Sequence, residues 1–210
     1  EGHTSGSRAD MFKFRIHAPR YTCDQIMRHS VGTAINCQSQ RYVDMDENFS
    51  IYVPRKVMGD YVLRAYYENY ERTCKEHYQM ISAEMDKRHI KGEKANDLMR
   101  TMLPIGVACN LTMGFTVEAL IHFMHKRLCV RADDPIRKVA MLMKKAVVEV
   151  EPRYEELLVA QCVDMMYCPE KHGCGLYPNK DELKNLIELG EQMQLYYDAI
   201  KSNCDMEDDE

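Results

Sequence analysis

Residues 11–17, MFKFRIH, alternate strictly between apolar and polar side chains. Phe12, Phe14 and Ile16 fall on one face and Lys13, Arg15 and His17 on the other, the period of a strand with one buried side. The polar stretch before it, EGHTSGSRAD, reads as a loop. Ala18-Pro19 breaks the strand, and Pro19 suits the first turn of a helix expected from Tyr21 to about His29. Residues 30–42 lack helical periodicity and are rich in small polar types, which predicts an ordered loop. A second strand is expected over Phe49–Val53, ended by Pro54. From Val57 to about Lys87 the pattern is helical, and KRHIKGEK reads as a surface connection. Lys94–Met102 reads as a shorter helix stopped by Pro104. Met113, Val117, Leu120 and Met124, spaced by four, three and four, predict a helix with an apolar stripe. Asp134-Pro135 opens another helix, Asp as cap and Pro at the first position, with Ile136, Val139, Met143 and Ala146 on one face. Cys162–Pro178 is loop-like and holds three cysteines. A last amphipathic helix spans about Asp181–Ile200, before the acidic tail CDMEDDE. There is no internal repeat. The order is α+β with helices dominant, and 210 residues fit a single domain with an appendage.

Charge and cysteine content narrow the function classes. A net charge of −5 excludes a generally basic nucleic-acid binder, so any anion site must be a local cluster of basic side chains. No apolar run approaches ~18 residues, so no membrane span is expected. No basic start leads into an apolar signal region. Nine cysteines, an odd number, favour reduced thiols in a cytoplasm-like compartment over a disulfide framework.

The candidate chemistry is basic and spatially grouped. Gln25, Arg28 and His29 stand at i, i+3 and i+4 of one helix and so share a face. That face runs into the polar loop with Asn36, Ser39 and Arg41. Arg100 and Arg127 each end a helix. One such arginine reads most simply as a complement to the helix dipole. Several guanidinium forks with hydroxyl and backbone donors are also what a phosphate needs. Cys162, Cys168, His172 and Cys174 lie within thirteen residues. They are soft ligands that would suit tetrahedral zinc, but their spacing is not the paired C-x2-C pattern, and unligated loop thiols are the plainer reading.

These motifs, in this order, resemble the flavin-dependent thymidylate synthases (the ThyX family). RHSVGTAINCQSQRY stands where that family has an Arg-His-Arg start followed by a spaced Asn, Ser and Arg-Tyr. His3-Thr4-Ser5 matches its upstream His-x-Ser, FKFRIHAP its alternating strand, Gln25 the Gln before the signature, and RTMLP its Arg-x-x-Leu-Pro. AQCVDMMYCPEKHGCG is similar to a Cys-rich ending found in part of the family. The resemblance covers most of residues 3–175. It implies helices packed on a small, mostly antiparallel sheet, with residues 1–160 as the catalytic domain and 161–210 as an extension. It also places an opening strand and helix of the family upstream of residue 1.

The implied activity is reductive methylation of dUMP to dTMP, with FAD as cofactor and methylenetetrahydrofolate and NADPH as cosubstrates. The dUMP positions would be Gln25, Arg28, Ser39, Gln40, Arg41, Arg100 and Arg127, with Arg127 and Ser39 as the catalytic pair. The FAD positions would be His3, Ser5, Arg28, His29, Ser30, Asn36, Thr116, Glu118 and His122. A homotetramer with sites between subunits is implied too, with no membrane or nucleic-acid partner.

The departures concentrate on the flavin side. Ser30 replaces the third signature Arg, and one extra residue separates Arg28 from Asn36. Cys37 and Gln40 replace a Glu and a Gly. Thr116, Glu118 and His122 replace Asn, Arg and Asn. Lys126 replaces an apolar residue, and Arg8 an acidic one. Two other outcomes therefore remain open: a pyrimidine deoxynucleotide hydroxymethylase, with dUMP or dCMP as substrate, and a non-catalytic nucleotide-binding paralogue. Cys37 inside the signature suggests covalent catalysis, but without a positioned base an inert thiol is the simpler assignment.

Overall fold

The computed structural model describes residues 10–45 and 49–204. Among them are eight α-helices and one three-stranded sheet, so the α+β expectation holds. Strand β1 (Met11–Pro19) carries the alternation seen in the sequence: Ile16 and Ala18 are buried, Phe12 and Phe14 half-buried, and Lys13, Arg15 and His17 exposed. Helix α1 (Arg20–Met27) follows directly on Pro19 and ends about two residues short of the expected His29.

Strand β2 (Thr33–Cys37) corrects the loop expected over residues 30–42. It is an edge strand with Ala34, Ile35 and Asn36 exposed, so it has no alternation for a sequence to show. Strand β3 (Ala108–Thr116) lies between the other two, in the order β1-β3-β2, and both pairings are antiparallel. Met113 pairs with Phe14 on one side and Ile35 on the other. Met113 is therefore a strand residue, not the start of a helix. Cys109, Leu111, Met113 and Phe115 alternate inward, and the period then changes to that of α5 (Val117–Arg127), where Val117, Leu120, Phe123 and Met124 are buried. Thr116 makes the switch as N-cap, its Oγ1 accepting from the Ala119 N–H at 3.3 Å.

The expected strand at 49–53 reduces to one bridge, Ile51 with Val107. The long helix from Val57 is interrupted: α2 is only Arg55–Met58, and Asp60 caps the separate α3 (Tyr61–Lys87) by accepting from the Val62 and Leu63 N–H groups. Helix α4 (Glu93–Met99) tightens into a 3-10 turn at Arg100–Met102. Helix α6 (Asp134–Val150) has Asp133 rather than Asp134 at its N-cap position, without a side-chain capping bond. Its buried face is Ile136, Ala140, Met143 and Val147, with Ala146 exposed. A short α7 (Gln161–Met165) breaks the expected loop, and α8 (Lys180–Cys204) closes the described chain.

The main core fills the space between the inner sheet face and α1, α5 and α6, with Leu158 sealing one side. A smaller cluster of Met45, Phe49, Ile51, Tyr78, Met99 and Val107 anchors α3 and α4. Among the described residues no helix is long and apolar enough to cross a membrane.

Candidate active site

The site forms where the end of α1 meets α5. Arg28 is the C-cap of α1, and the chain then turns sharply: the His29 N–H donates to the Ile26 carbonyl, and Thr33 Oγ1 donates back to the His29 carbonyl at 2.9 Å. Gly32 lets this turn close. Its φ is +69°, and a Cβ there would stand 2.7 Å from Thr116 Oγ1, the cap of α5. The Thr116 N–H donates to the Gly32 carbonyl at 2.9 Å, joining the signature turn to the start of α5.

Ninety-eight residues separate His29 from Arg127 in sequence, yet Arg127 Nε donates to His29 Nε2 at 3.0 Å. The imidazole also meets the buried Phe123 ring edge-on at 5.0 Å and His122 at 6.2 Å. Burial, then the Arg127 charge, then His122 push His29 down to about 4. A neutral ring with Nε2 free to accept is what the Arg127 contact requires. Burial, followed by the neighbouring Arg28, holds the Arg127 guanidinium below its ordinary value. Neither arginine has a carboxylate ion partner among the described residues.

His29 makes a stability prediction. The unfolded imidazole titrates near 6.5, so between that value and about 4 the unfolded chain binds the extra proton. Stability should fall as pH drops through that window, and His29→Asn should flatten the fall. Thermal melts at several pH values test this; equal slopes for the two proteins would refute it.

A cavity of about 420 Å³ opens beside this corner, lined by Arg28, His29, Ser30, Val31, Gly32, Thr116, Glu118, Ala119 and His122. Six of the residues singled out from sequence for a flavin thus share one wall. Asn36 does not join them; it sits on the exposed outer face of β2, opposite Thr112. His3, Ser5 and Arg8 lie outside the described residues. Gly32 was not singled out from sequence, although a glycine inside the signature was the available signal.

The second group is held by acidic side chains. Arg41 Nη2 donates to Glu93 Oε1 at 2.6 Å, and Arg41 Nε lies 3.1 Å from Asp97 Oδ1. Arg100 Nη2 lies 3.0 Å from the same Asp97 oxygen. Both approaches to Asp97 are ion pairs without hydrogen-bond alignment. Ser39 Oγ accepts from the Arg41 N–H at 3.3 Å, and Gln40 is half-buried between them. Among the described residues no hydrogen bond or ion pair carries Ser39, Arg41 or Arg100 to Arg28, His29 or Arg127. Gln25, on α1, has a buried Oε1 with no hydrogen-bond partner among the described residues.

Among the described residues no three His, Cys, Asp or Glu side chains gather to hold a metal ion. Cys162, Cys168 and Cys174 line a cavity of about 240 Å³ with Cys129 and Arg127, but His172 is not in its wall.

Comparison with known proteins fits this arrangement. The profile of the family described as thymidylate synthase complementing protein matches residues 1–153. The chain belongs to this family. A flavin-dependent thymidylate synthase of Nitratidesulfovibrio vulgaris is 31% identical over 185 residues, covering 87% of this chain and 75% of that protein. The protein of the same name from Pyrococcus horikoshii is 31% identical over 202 residues, 89% of this chain and 78% of its own length. The one from Pyrococcus abyssi is 29% identical over 178 residues, covering 81% and 69%. The thymidylate synthase complementing match includes both basic groups and ends just beyond α6.

Proposed function

We propose that this chain is a flavin-dependent thymidylate synthase that methylates dUMP. The observation that carries the reading is the Arg127–His29 contact beside a cavity walled by the family's signature residues. Carbon 5 of the uracil ring is a weak nucleophile until negative charge can develop on the ring. Arg127, held by a neutral His29 and short of carboxylate partners, offers a fixed cation to a pyrimidine oxygen as that charge grows. Arg41, Arg100 and Ser39 suit the phosphate, which would displace Asp97 and Glu93 from the two guanidiniums. The buried Gln25 oxygen suits a base or sugar donor.

The cavity fits a flavin. Its wall combines Arg28, which has no ion partner among the described residues, the hydroxyls of Ser30 and Thr116 and the imidazole of His122. Glu118 suits ribose hydroxyls or an amide N–H rather than a phosphate. When bound and reduced by NADPH, the flavin would supply the hydride after a folate donates the one-carbon unit. The chain's part is to orient the ring, exclude water and fix the charge at Arg127.

One feature favours an oligomer with sites shared between chains, as a tetramer would provide. Helix α3 runs 27 residues with only Tyr78 buried, while Tyr61, Val62, Leu63, Tyr66 and Tyr70 are exposed. The two basic groups, unlinked within one chain, would then meet across copies. Sedimentation at micromolar concentration should give a multiple of 24.5 kDa; a single-chain mass would sink the shared site. In this reading residues 1–160 are the catalytic unit, 161–210 an extension, and the compartment is the reducing cytoplasm.

The test is an absorption spectrum followed by product mass. The purified protein with added FAD should retain flavin bands through gel filtration. With dUMP, methylenetetrahydrofolate and NADPH it should then yield dTMP. A product heavier by one oxygen would make it a hydroxymethylase, and no retained flavin would refute the proposal.

A further inference from the structure

The core-facing side of the sheet holds a thiol pair that the catalytic reading does not use. Cys37 ends β2 and opposes Leu111; Cys109, two residues earlier on β3, is its diagonal neighbour on the same face. Their Sγ atoms are 3.6 Å apart, in contact and unbonded. Arg20, the first residue of α1, brings Nη1 to 3.8 Å from Cys37 Sγ and 4.0 Å from Cys109 Sγ, while its Nε donates to Asp24 at 2.9 Å. Cys23 packs beneath, its thiol directed at the carbonyls of Ala18 and Cys109, each at 3.7 Å. Cys109 is buried, and Cys37 and Arg20 are half-buried, so Cys37 is the more accessible of the two sulfurs.

We propose that Cys37 and Cys109 are a modification site for small hydroperoxides, which close the pair to a reversible disulfide. The two thiols divide the work. Hydrogen bonding from Cys23, opposed by burial and reinforced by Cys37 and Arg20, holds Cys109 below the ordinary thiol value. Burial and its bond to Cys109 push Cys37 up. In the proposed order Cys109 is the attacking thiolate and Cys37 the resolving thiol. The Cys109 thiolate attacks hydrogen peroxide, the O–O bond breaks, and Cys109 sulfenic acid and hydroxide form. Cys37 sulfur then attacks the sulfenic sulfur, and the S–O bond breaks. The hydroxyl leaves as water, carrying the Cys37 proton. Two thiol sulfurs lose two electrons in all, and one peroxide is reduced to water and hydroxide. The crosslink ties the end of β2, just before the Gln38–Arg41 loop, to the start of β3.

This site does not depend on the catalytic reading, and its test needs no turnover. The full-length protein is treated with a few equivalents of hydrogen peroxide, blocked with N-ethylmaleimide, digested without reductant and mapped by mass spectrometry. A Cys37–Cys109 linked peptide that dithiothreitol removes is the expected result. Arg20→Gln should slow its formation roughly tenfold, and Cys37→Ser should leave a Cys109 sulfenic acid that dimedone traps. The wild-type map is decisive even if a variant fails to fold. Cys37 and Cys109 both found alkylated after other cysteines have oxidised, or either one linked to a different cysteine, would overturn the proposal.

Discussion

Arg127→Lys should lower dUMP turnover by about 10²–10³-fold while weakening dUMP binding far less. The size is that of losing one preorganised donor aimed at developing charge. The asymmetry follows because such a donor acts more strongly on the transition state than on the bound substrate. Lysine keeps a positive charge but not the planar fork, and the fork matters here because one edge is already engaged. Arg127 Nε holds His29 at 3.0 Å, and its terminal nitrogens make no hydrogen bond among the described residues. An ammonium cannot hold the imidazole and present a second donor in a fixed direction. The plainer account of a cation at the end of α5 is a match to the helix dipole, worth ~0.3–1 kcal/mol of stability and no turnover. Measuring kcat and dUMP affinity on one Arg127→Lys preparation separates the two. Turnover within a factor of two of wild type would end the electrostatic role.

Much of the frame that positions this corner was legible in the sequence. The alternation of β1 placed Lys13, Arg15 and His17 on the open side of the sheet, as found. The residues of the 113–124 stripe are buried as expected, but the run was assigned to one helix because spacings of four and three disguise a strand that passes into a helix at Thr116. Edge strand β2 left no signal, since its middle three residues are all exposed and only its pairing to β3 defines it. Of the residues expected on the flavin side, Arg28, His29, Ser30, Thr116, Glu118 and His122 share one wall. What no local pattern carried were the contacts that set their chemistry. His29 meeting Arg127, Gly32 closing on Thr116, and Cys37 touching Cys109 all span more than seventy residues. Each depends on how β3 threads between β1 and β2.

Arg100→Ala should weaken dUMP about 10- to 150-fold, the loss expected from removing one charge-assisted phosphate contact of roughly 1.5–3 kcal/mol. The fold should barely notice, because Arg100 is exposed and its contact is a surface ion pair with Asp97. The neighbouring charges make the prediction sharper than a single deletion. Asp97 Oδ1 stands about 3 Å from both Arg100 and Arg41, so the carboxylate competes with an incoming phosphate for the same two guanidiniums. Without Arg100, Asp97 pairs with Arg41 alone and holds it more firmly against the phosphate, which adds to the loss. Asp97→Asn removes that competitor and should bind dUMP at least as tightly as wild type. Titrating the three proteins with dUMP under one salt condition tests the assignment from both directions. Wild-type affinity in Arg100→Ala would remove Arg100 from the phosphate site. A loss in Asp97→Asn as large as that in Arg100→Ala would make Asp97 a ligand-binding residue instead of a competitor.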